Sequence, residues 1–360
     1  MNIDRLFRAM VEQEASDLFL KVGTHPFLRI NGKLIPVGDQ KLTHEQIVEA
    51  ASDLMGPQRR QIFHAERELN FAFERAGVGR FRANVLWQKG TMALVVRRIH
   101  RSIASFNELN LPVEVLTRFM SEQHGLVLVT GPTGSGKSTT VASMLDYLNQ
   151  TAAKHIVTLE DPIEFQFEED QAVINQREVG VDTRSFSEGL RNVLRQSPDV
   201  LFVSDIRDRE TMEASLLASE AGQLVLSCLH TTNAVTTIER LVAFFPPHQH
   251  QLVRLRLSIV LRGIVSLRLL LRSDGAGRIP ACEVVVATPT VRELLREGRT
   301  SELPLALHDG VMFGMQTLTQ ALYQRYRQGE VDLEEALRHA DSPDDLQLAI
   351  REIRSTRDVQ

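Results

Sequence analysis

Residues 126–139 read Leu-Val-Leu-Val-Thr-Gly-Pro-Thr-Gly-Ser-Gly-Lys-Ser-Thr, a short apolar run followed at once by a glycine-rich loop. The apolar run, Leu126 to Thr130, predicts a buried strand. The loop matches G-x-x-x-x-G-K-[ST], in which closely spaced glycines let successive backbone N–H groups point into one concavity and hold phosphate oxygens. The stretch therefore predicts a strand, a phosphate-binding loop and a helix that together bind a nucleoside triphosphate.

Two side chains of this Walker A loop have predicted roles of their own. Lys137 brings a positive charge to the phosphates, and the hydroxyl of Ser138 is a candidate ligand of Mg²⁺. An ordinary flexible glycine turn is the alternative. The residues expected to hold the nucleotide are Gly131, Pro132, Thr133, Gly134, Ser135, Gly136, Lys137, Ser138 and Thr139.

Length and composition indicate a globular protein with two domains. The chain has 360 residues, 43% of them hydrophobic and 24% charged, and single cores rarely grow beyond about 250–300 residues. The net charge of −5 carries no basic excess, so we expect no nucleic-acid partner. Cys228 and Cys282 form no CxxC pair, which excludes a disulfide framework and a four-cysteine zinc site.

The same sequence contains no pattern of a membrane span or a signal peptide. The most apolar stretch, Leu255 to Leu271, is interrupted by three arginines, whereas a spanning helix needs about 18 or more apolar residues. The N-terminus lacks the apolar core of a signal peptide. We therefore expect a cytoplasmic protein.

Residues 1–100 have the pattern of a small α+β domain. Apolar residues spaced by three and four over residues 3–11 predict one helix, and the capping-box pair Thr43 and Gln46 predicts the start of another. Asn31-Gly32 is a strong hairpin signal. Strands are predicted near residues 17–21, 27–30, 34–37, 79–88 and 91–99.

Beyond a predicted linker at residues 101–112, strands and helices alternate. This alternation predicts a mostly parallel sheet covered by helices on both faces. From Thr290 onward the pattern is mainly helical. The predicted strands are 126–130, 156–159, 200–204, 224–229 and 281–287, and the predicted helices are the one after Lys137, 186–195, 209–221 and 235–244.

An acidic pair follows one of the predicted parallel strands. Ligands bind at the carboxyl ends of such strands, so the residues that end them are candidates for chemistry. Glu160 and Asp161 come just past the strand 156–159, where a carboxylate can orient and deprotonate the water that attacks a γ-phosphate. The alternative is a solvated turn closed by Pro162.

Two further strand ends carry a carboxylate and an imidazole. Four apolar residues and then Ser204 precede Asp205 in a Walker B arrangement, which predicts that Asp205 holds Mg²⁺ directly or through water. The alternatives are that Asp205 caps the next helix or pairs with Arg207 or Arg209. His230 is placed either to sense the γ-phosphate or to serve as a structural residue.

Arginines in the first domain form a further set of candidates. Strand alternation puts Arg80 and Arg82 on the face opposite Phe81. A planar guanidinium matches the geometry of phosphate oxygens. Arg97 and Arg98 on the next strand are similar candidates, and ordinary surface arginines are the alternative.

Taken together, these motifs resemble the secretion ATPase superfamily, and most closely the type IV pilus retraction ATPases, the PilT/PilU group. The resemblance runs nearly end to end. The family-specific strings are Glu160-Asp-Pro-Ile-Glu-Phe165 (the Asp box), Gln176-Arg-Glu-Val179, Leu229-His-Thr-Thr232 (the His box) and Gly314-Met-Gln-Thr317. Residues 335–341 are similar to the PilU side of the group, and residues 290–296 match the place of the family's AIRNLIR retraction motif.

The resemblance implies an α/β fold with a RecA-like P-loop motor domain preceded by a smaller PAS-like α+β domain. Residues 1–100 would form the PAS-like domain, 101–112 the linker, 113–289 the ATPase core and 290–360 a C-terminal helical region. It also implies a hexameric ATPase at the cytoplasmic face of the inner membrane. This motor would couple ATP hydrolysis to domain closure and act on a membrane platform protein during pilus retraction.

The resemblance also implies roles for the candidate residues. ATP and Mg²⁺ would be the cofactors, with Ser138 and Asp205 supporting the metal and Glu160 preparing the attacking water. The arginines that complete the site from the first domain would be Arg80, Arg82 and Arg97, and His230 would belong to the catalytic set.

Three departures from the family pattern favour a second reading. Ser204-Asp205 stands where Gly-Glu is usual, Gln223 stands where the His box has a first histidine, and Leu267 replaces a common glutamine. A catalytic group misplaced by ~1 Å can lower a rate by ~10²-fold. The second reading is a weakly hydrolysing regulatory subunit that works with an active, paralogous retraction ATPase. A third, an isolated P-loop small-molecule kinase, would predict a monomer.

Overall fold

The computed structural model describes residues 2–30, 32–99 and 102–357. Within these ranges the chain divides into two compact units, residues 1–102 with 164–166 and residues 103–163 with 167–360. Asn31, predicted in a hairpin turn, lies outside the described residues. So do His100, at the predicted end of the first domain, and Arg101, at the predicted start of the linker.

The first unit is an antiparallel sheet packed against two helices. Its elements are α1 (Ile3–Glu12), β1 (Asp17–Lys21), β2 (Phe27–Ile30), β3 (Lys33–Pro36), α2 (His44–Glu66), β4 (Glu68–Arg75), β5 (Gly79–Gln88) and β6 (Thr91–Ile99). Among the described residues the strand order is β3-β2-β1-β6-β5-β4. Every neighbouring pair is antiparallel.

Side-chain alternation on β5 decides which face of this sheet is buried. Phe81, Ala83 and Val85 are fully buried, whereas Arg80 and Arg82 point to the other face. The ring of Phe81 stacks on that of Phe7 from α1, with centroids 4.8 Å apart. The capping box predicted at Thr43 and Gln46 is also confirmed at the start of α2.

The second unit is built on a largely parallel sheet. Its strands are β7 (Gly125–Thr130), β8 (His155–Glu160), β9 (Val173–Glu178), β10 (Val200–Val203), β11 (Leu224–Leu229), β12 (Leu261–Leu271) and β13 (Arg278–Val286). They pair in the order β13-β12-β7-β11-β10-β8-β9, and β12 with β13 is the antiparallel pair of this set. Every residue of β7, β10 and β11 is buried, as expected when helices cover both faces.

The helices of this unit surround the sheet and extend beyond β13. They are α3 (Val113–Ser121), α4 (Lys137–Thr151), α5 (Phe186–Val193), α6 (Arg209–Glu220), α7 (Ala234–Ala243), α8 (His250–Val260), α9 (Pro289–Glu297), α10 (Leu303–Asp309), α11 (Leu318–Arg327), α12 (Leu333–His339) and α13 (Pro343–Arg357). The last three pack on Leu270 and Ile279 and form an apolar cluster separate from the central core. In the described ranges we find no helix with the length and apolar character needed to cross a bilayer.

The predicted α/β class with a mostly parallel sheet is confirmed, and so are the predicted helices and strands of both units, to within a few residues at their ends. Three strands, β4, β9 and β12, were not predicted from the sequence. The order of the second sheet puts β7, which leads into the glycine-rich loop, between β11 and β12.

Strand β12 packs on α3 so closely at Gly263 that no side chain fits there. A Cβ on Gly263 would overlap the ring of Phe119, which is buried. We expect Gly263→Ala to lower the free energy of unfolding by about 1–3 kcal/mol, because an added methyl group in a filled core forces its neighbours to move. Denaturant unfolding measures this change. Adding Phe119→Leu should restore part of the loss, and strictly additive losses would contradict the explanation.

Candidate nucleotide-binding site

The loop after β7, residues 131–136, has a backbone that favours glycine at three positions. Gly131, Gly134 and Gly136 have φ values of 147°, 81° and 95°, which side chains rarely adopt. At Gly131 a Cβ would also lie 2.6 Å from the carbonyl oxygen of Leu267. Helix α4 begins directly after this loop, so its first N–H groups and its dipole favour an anion there.

The ammonium group of Lys137 lies over this loop. Nζ donates hydrogen bonds to the carbonyl oxygens of Gly131, at 2.9 Å, and Pro132, at 3.1 Å. It also lies 3.3 Å from Nδ1 of His230. Because an ammonium group can only donate, Nδ1 accepts and the hydrogen of the imidazole lies on Nε2. The structure thus places a buried positive charge where the sequence predicts phosphate.

His230 connects the loop to the carboxylate at the end of the neighbouring strand. Nε2 of His230 lies 3.5 Å from Oδ2 of Asp205, which fits a hydrogen on Nε2. His230 follows β11 and Asp205 follows β10, and β7, β11 and β10 are consecutive in the sheet. Three residues predicted from separate motifs, Lys137, His230 and Asp205, therefore form one line of contacts at the carboxyl edge.

Arg207 joins Asp205 to Asp161. Its Nε donates to Oδ2 of Asp205 at 2.8 Å, and its Nη1 donates to Oδ2 of Asp161 at 3.2 Å. The hydrogen bond to Asp205 raises the pKa of the Arg207 guanidinium. The pairing with Arg207, one of the alternatives stated from the sequence, is present in the structure. The capping alternative is wrong, because Asp208 caps α6.

Glu160 is the last residue of β8, rather than just past the strand as the sequence predicted. The strand is longer because β9 pairs alongside it through Glu160 and Glu178. The Glu160 side chain is buried, and its Oε1 accepts hydrogen bonds from Oγ1 of Thr158, at 2.6 Å, and from Nε2 of Gln176, at 3.1 Å. These two donors fix the orientation of the buried carboxylate.

Thr158 and Gln176 are hydrogen-bond partners of Glu160 that were not predicted from the sequence. Gln176 lies on β9, directly opposite Thr158 in the register, and β9 was not predicted. The one signal for Gln176 was the family string that begins with it. A cross-strand pair of this kind becomes visible only once the neighbouring strand is known.

The three predicted phosphate-facing arginines lie on adjacent strands of the first unit. Arg80 and Arg82 are on β5, and Arg97 on β6 is the register partner of Arg82. Arg97 is exposed at its tip but donates from Nε to Oδ1 of Asp17 at 2.9 Å. Its charge is therefore already paired within the first unit. That these three arginines contact phosphate stays a prediction.

The donor set at the carboxyl edge suits Mg²⁺ held jointly with a nucleotide. Mg²⁺ keeps several waters and is usually bound through one or two carboxylates together with substrate phosphates. Ser138, in the first turn of α4, and Asp205 supply a hydroxyl and a carboxylate of that kind. Among the described residues no group of three or more His, Cys, Asp or Glu side chains could hold a metal by itself.

Two relatives that match almost the whole chain are named as type IV pilus ATPases. The chain is 42% identical over 351 residues to "Type IV pilus ATPase PilU" of Pseudomonas aeruginosa, covering 98% of this chain and 92% of the relative. It is 41% identical over 344 residues to "Type IV pilus retractation ATPase PilT" of the same organism, covering 96% and 99%.

A solved structure shows the same fold over nearly the full length. The crystal structure of the pilus retraction motor PilT with bound ADP matches with a TM-score of 0.89 and 42% identity, covering 96% of this chain and 99% of that one. The family described as "Type II/IV secretion system protein" matches residues 2–274. This chain therefore belongs to the Type II/IV secretion system protein family.

Proposed function

We propose that this chain is an ATPase motor that powers retraction of a type IV pilus. The observation that supports it most strongly is the likeness, at a TM-score of 0.89 over 96% of the chain, to a pilus retraction motor crystallised with ADP. The geometry agrees with that activity, because the loop after β7, Asp205 and Glu160 meet at one edge of the sheet. A lone phosphate-binding loop would not require the two carboxylates.

Each group at this edge has a role in the proposed reaction. The amides of residues 131–139 and the ammonium of Lys137 hold the phosphates, while Ser138 and Asp205 would hold Mg²⁺, which would neutralise charge on the transferring phosphoryl group. Glu160 orients the attacking water and accepts its proton. His230, in contact with both Lys137 and Asp205, transmits the presence of the γ-phosphate between them.

We also propose how the motor assembles and where it acts. The motor is a homo-hexamer that acts on a platform protein at the cytoplasmic face of the inner membrane. Residues 1–100 serve as the PAS-like domain, 113–289 as the RecA-like core and 290–360 as the C-terminal region. Helices α11, α12 and α13 form a separate apolar cluster, whereas α9 and α10 pack in the central core through Val291, Leu294 and Leu303.

A second candidate function is a regulatory subunit that binds nucleotide, hydrolyses it slowly and works beside an active paralogue. The observation that favours it is that Asp205, already one methylene shorter than the usual glutamate, is engaged by Arg207 at 2.8 Å. A carboxylate held in that way is less available to the metal.

The two candidates are separated by the rate of ATP hydrolysis as a function of protein concentration, with and without a PilT-type paralogue. The motor predicts Mg²⁺-dependent turnover by the chain alone that increases as rings assemble. Turnover by the chain alone that stays at background at every concentration, together with a paralogue rate that changes when the chain is added, would instead support the regulatory role. Light scattering at the mass of a hexamer would exclude the monomeric kinase.

A further inference from the structure

Three polar side chains lie side by side across the strands β7, β12 and β13. Thr130, Ser266 and Glu283 are register neighbours, and Thr130 immediately precedes Gly131 of the phosphate-binding loop. Oγ1 of Thr130 donates to Oγ of Ser266 at 2.9 Å, and that hydroxyl donates to Oε1 of Glu283 at 3.3 Å. A hydrogen-bonded path therefore runs from the end of the nucleotide-binding strand across the sheet.

The path ends at the first residue of α7. The backbone N–H of Ala234 donates to Oε1 of Glu283 at 2.6 Å. The first N–H groups of a helix have no partner within it, and a carboxylate also complements the positive end of the helix dipole. Glu283, on β13, thus anchors α7 at Ala234, which lies four residues after His230.

A residue of the C-terminal region contacts the segment between His230 and α7. Oδ2 of Asp341, which follows α12, accepts from Nδ2 of Asn233 at 3.4 Å, and Oδ1 accepts from Nη2 of Arg268 at 3.3 Å. Asn233 caps α7 and Arg268 lies on β12, two residues after Ser266. The segment between His230 and α7 is consequently held on both sides by side chains from outside the strand β11 that leads into it.

We infer that Glu283 is a positioning residue of the nucleotide site, which fixes the start of α7, and through it His230, relative to the strand that carries the phosphate-binding loop. The inference rests on the proposed ATPase function and adds a residue that none of the sequence motifs contains. His230 has to lie within 3.3 Å of Lys137 and 3.5 Å of Asp205 at once. Small shifts in such an arrangement are costly, because reacting groups displaced by ~1 Å can lose ~10²-fold in rate.

The environment of Glu283 makes the stability of the fold depend on pH. Burial raises the pKa of Glu283 from 4.5 to about 7, and the charged groups that face it are Asp341 and Arg268. Because the pKa of this carboxyl is higher in the folded state, the folded state holds its proton more tightly than the unfolded state does. The resulting stabilisation is fully present at pH values below the unfolded pKa and is lost as pH rises through the folded pKa. Between pH 5 and about 8 we expect the Tm of the wild type to fall by several degrees relative to that of Glu283→Gln. Parallel pH profiles would contradict this expectation.

The positioning role is tested with Glu283→Ala and Glu283→Gln in the full chain. By hydrogen–deuterium exchange, Glu283→Ala should speed exchange at the start of α7 about tenfold or more, while Glu283→Gln, whose amide oxygen still accepts from Ala234, stays within about threefold of wild type. In turnover, Glu283→Ala should lower kcat about tenfold with the Kd for fluorescent ADP changed less than about threefold. Combined with His230→Ala, it should cause no further loss of kcat.

Each arm has an outcome that overturns the inference. Unchanged exchange in Glu283→Ala would do so, as would an equal loss of kcat with and without His230. If Glu283→Ala does not fold, Ala234→Pro removes the same hydrogen bond from the donor side, at a helix position that accepts proline, and must reproduce the loss of kcat. If the wild type has no ATPase activity, the proposed function fails, and the exchange measurement still decides the role of Glu283 separately.

Discussion

Glu160→Gln is expected to lower the rate of ATP hydrolysis by about 10²–10⁴-fold and to leave nucleotide affinity nearly unchanged. The amide oxygen of glutamine can still accept the hydrogen bonds from Thr158 and Gln176 that hold the glutamate at 2.6 and 3.1 Å. The local structure is therefore retained. What the amide cannot do is accept a proton from the attacking water. Steady-state turnover, together with binding of a fluorescent ATP analogue, separates these two properties.

A matched control for this variant is Glu168→Gln, which makes the same chemical change at an exposed position further along the chain. It should retain wild-type turnover. If Glu160→Gln hydrolysed ATP at the wild-type rate, Glu160 would not be the base, and Asp161 would become the carboxylate to replace next. If it lost nucleotide binding as well, Glu160 would have a structural role in the loop instead.

In the parallel sheet, the strands that the sequence predicted most directly are those in which burial is complete. Strands β7, β10 and β11 lie in the middle of the sheet, so every position is apolar or small and the pattern is unambiguous. The strand β9 was missed because it is an edge strand with one neighbour and largely polar residues. Strand β4, which lies at the edge of the other sheet, was also missed.

Strand β12 was missed for a different reason. Arg262 and Arg268 interrupt its apolar run, and their partners cannot be read from local sequence. In the structure Arg262 pairs with Glu122 at 3.1 Å and Arg268 with Asp341 at 3.3 Å. Both partners are more than 70 residues away along the chain, so only tertiary structure shows that these charges are compatible with a strand.

The candidate site divides in the same way. Lys137, Asp205 and His230 were predicted because each belongs to a short motif whose chemistry is local. The contact between Lys137 and His230 joins residues 93 apart, and only the strand order brings them together. Glu283 belongs to no motif and was not predicted, because its role depends on a register pairing with Ser266 and on the helix that begins at Ala234.

Lys137→Ala is expected to weaken nucleotide binding by about 100-fold or more and to abolish turnover. The ammonium is buried against the carbonyl oxygens of Gly131 and Pro132, so it places a positive charge directly beside the loop that we expect to hold the phosphates. A charge-assisted hydrogen bond contributes about 1.5–3 kcal/mol, and a γ- or β-phosphate would accept more than one from it. Isothermal titration with ADP and ATP measures the loss directly.

Two further variants decide whether the effect belongs to the charge, the geometry or the fold. Lys154→Ala removes a lysine from the same unit outside the loop and should bind ADP as the wild type does. Lys137→Arg keeps the charge but replaces a compact ammonium by a planar fork that fits the concavity poorly, so it should bind nucleotide better than Lys137→Ala and still turn over slowly. Lys137→Ala with wild-type ADP affinity would mean that the loop does not hold the phosphates, and the ATPase proposal would fail with it.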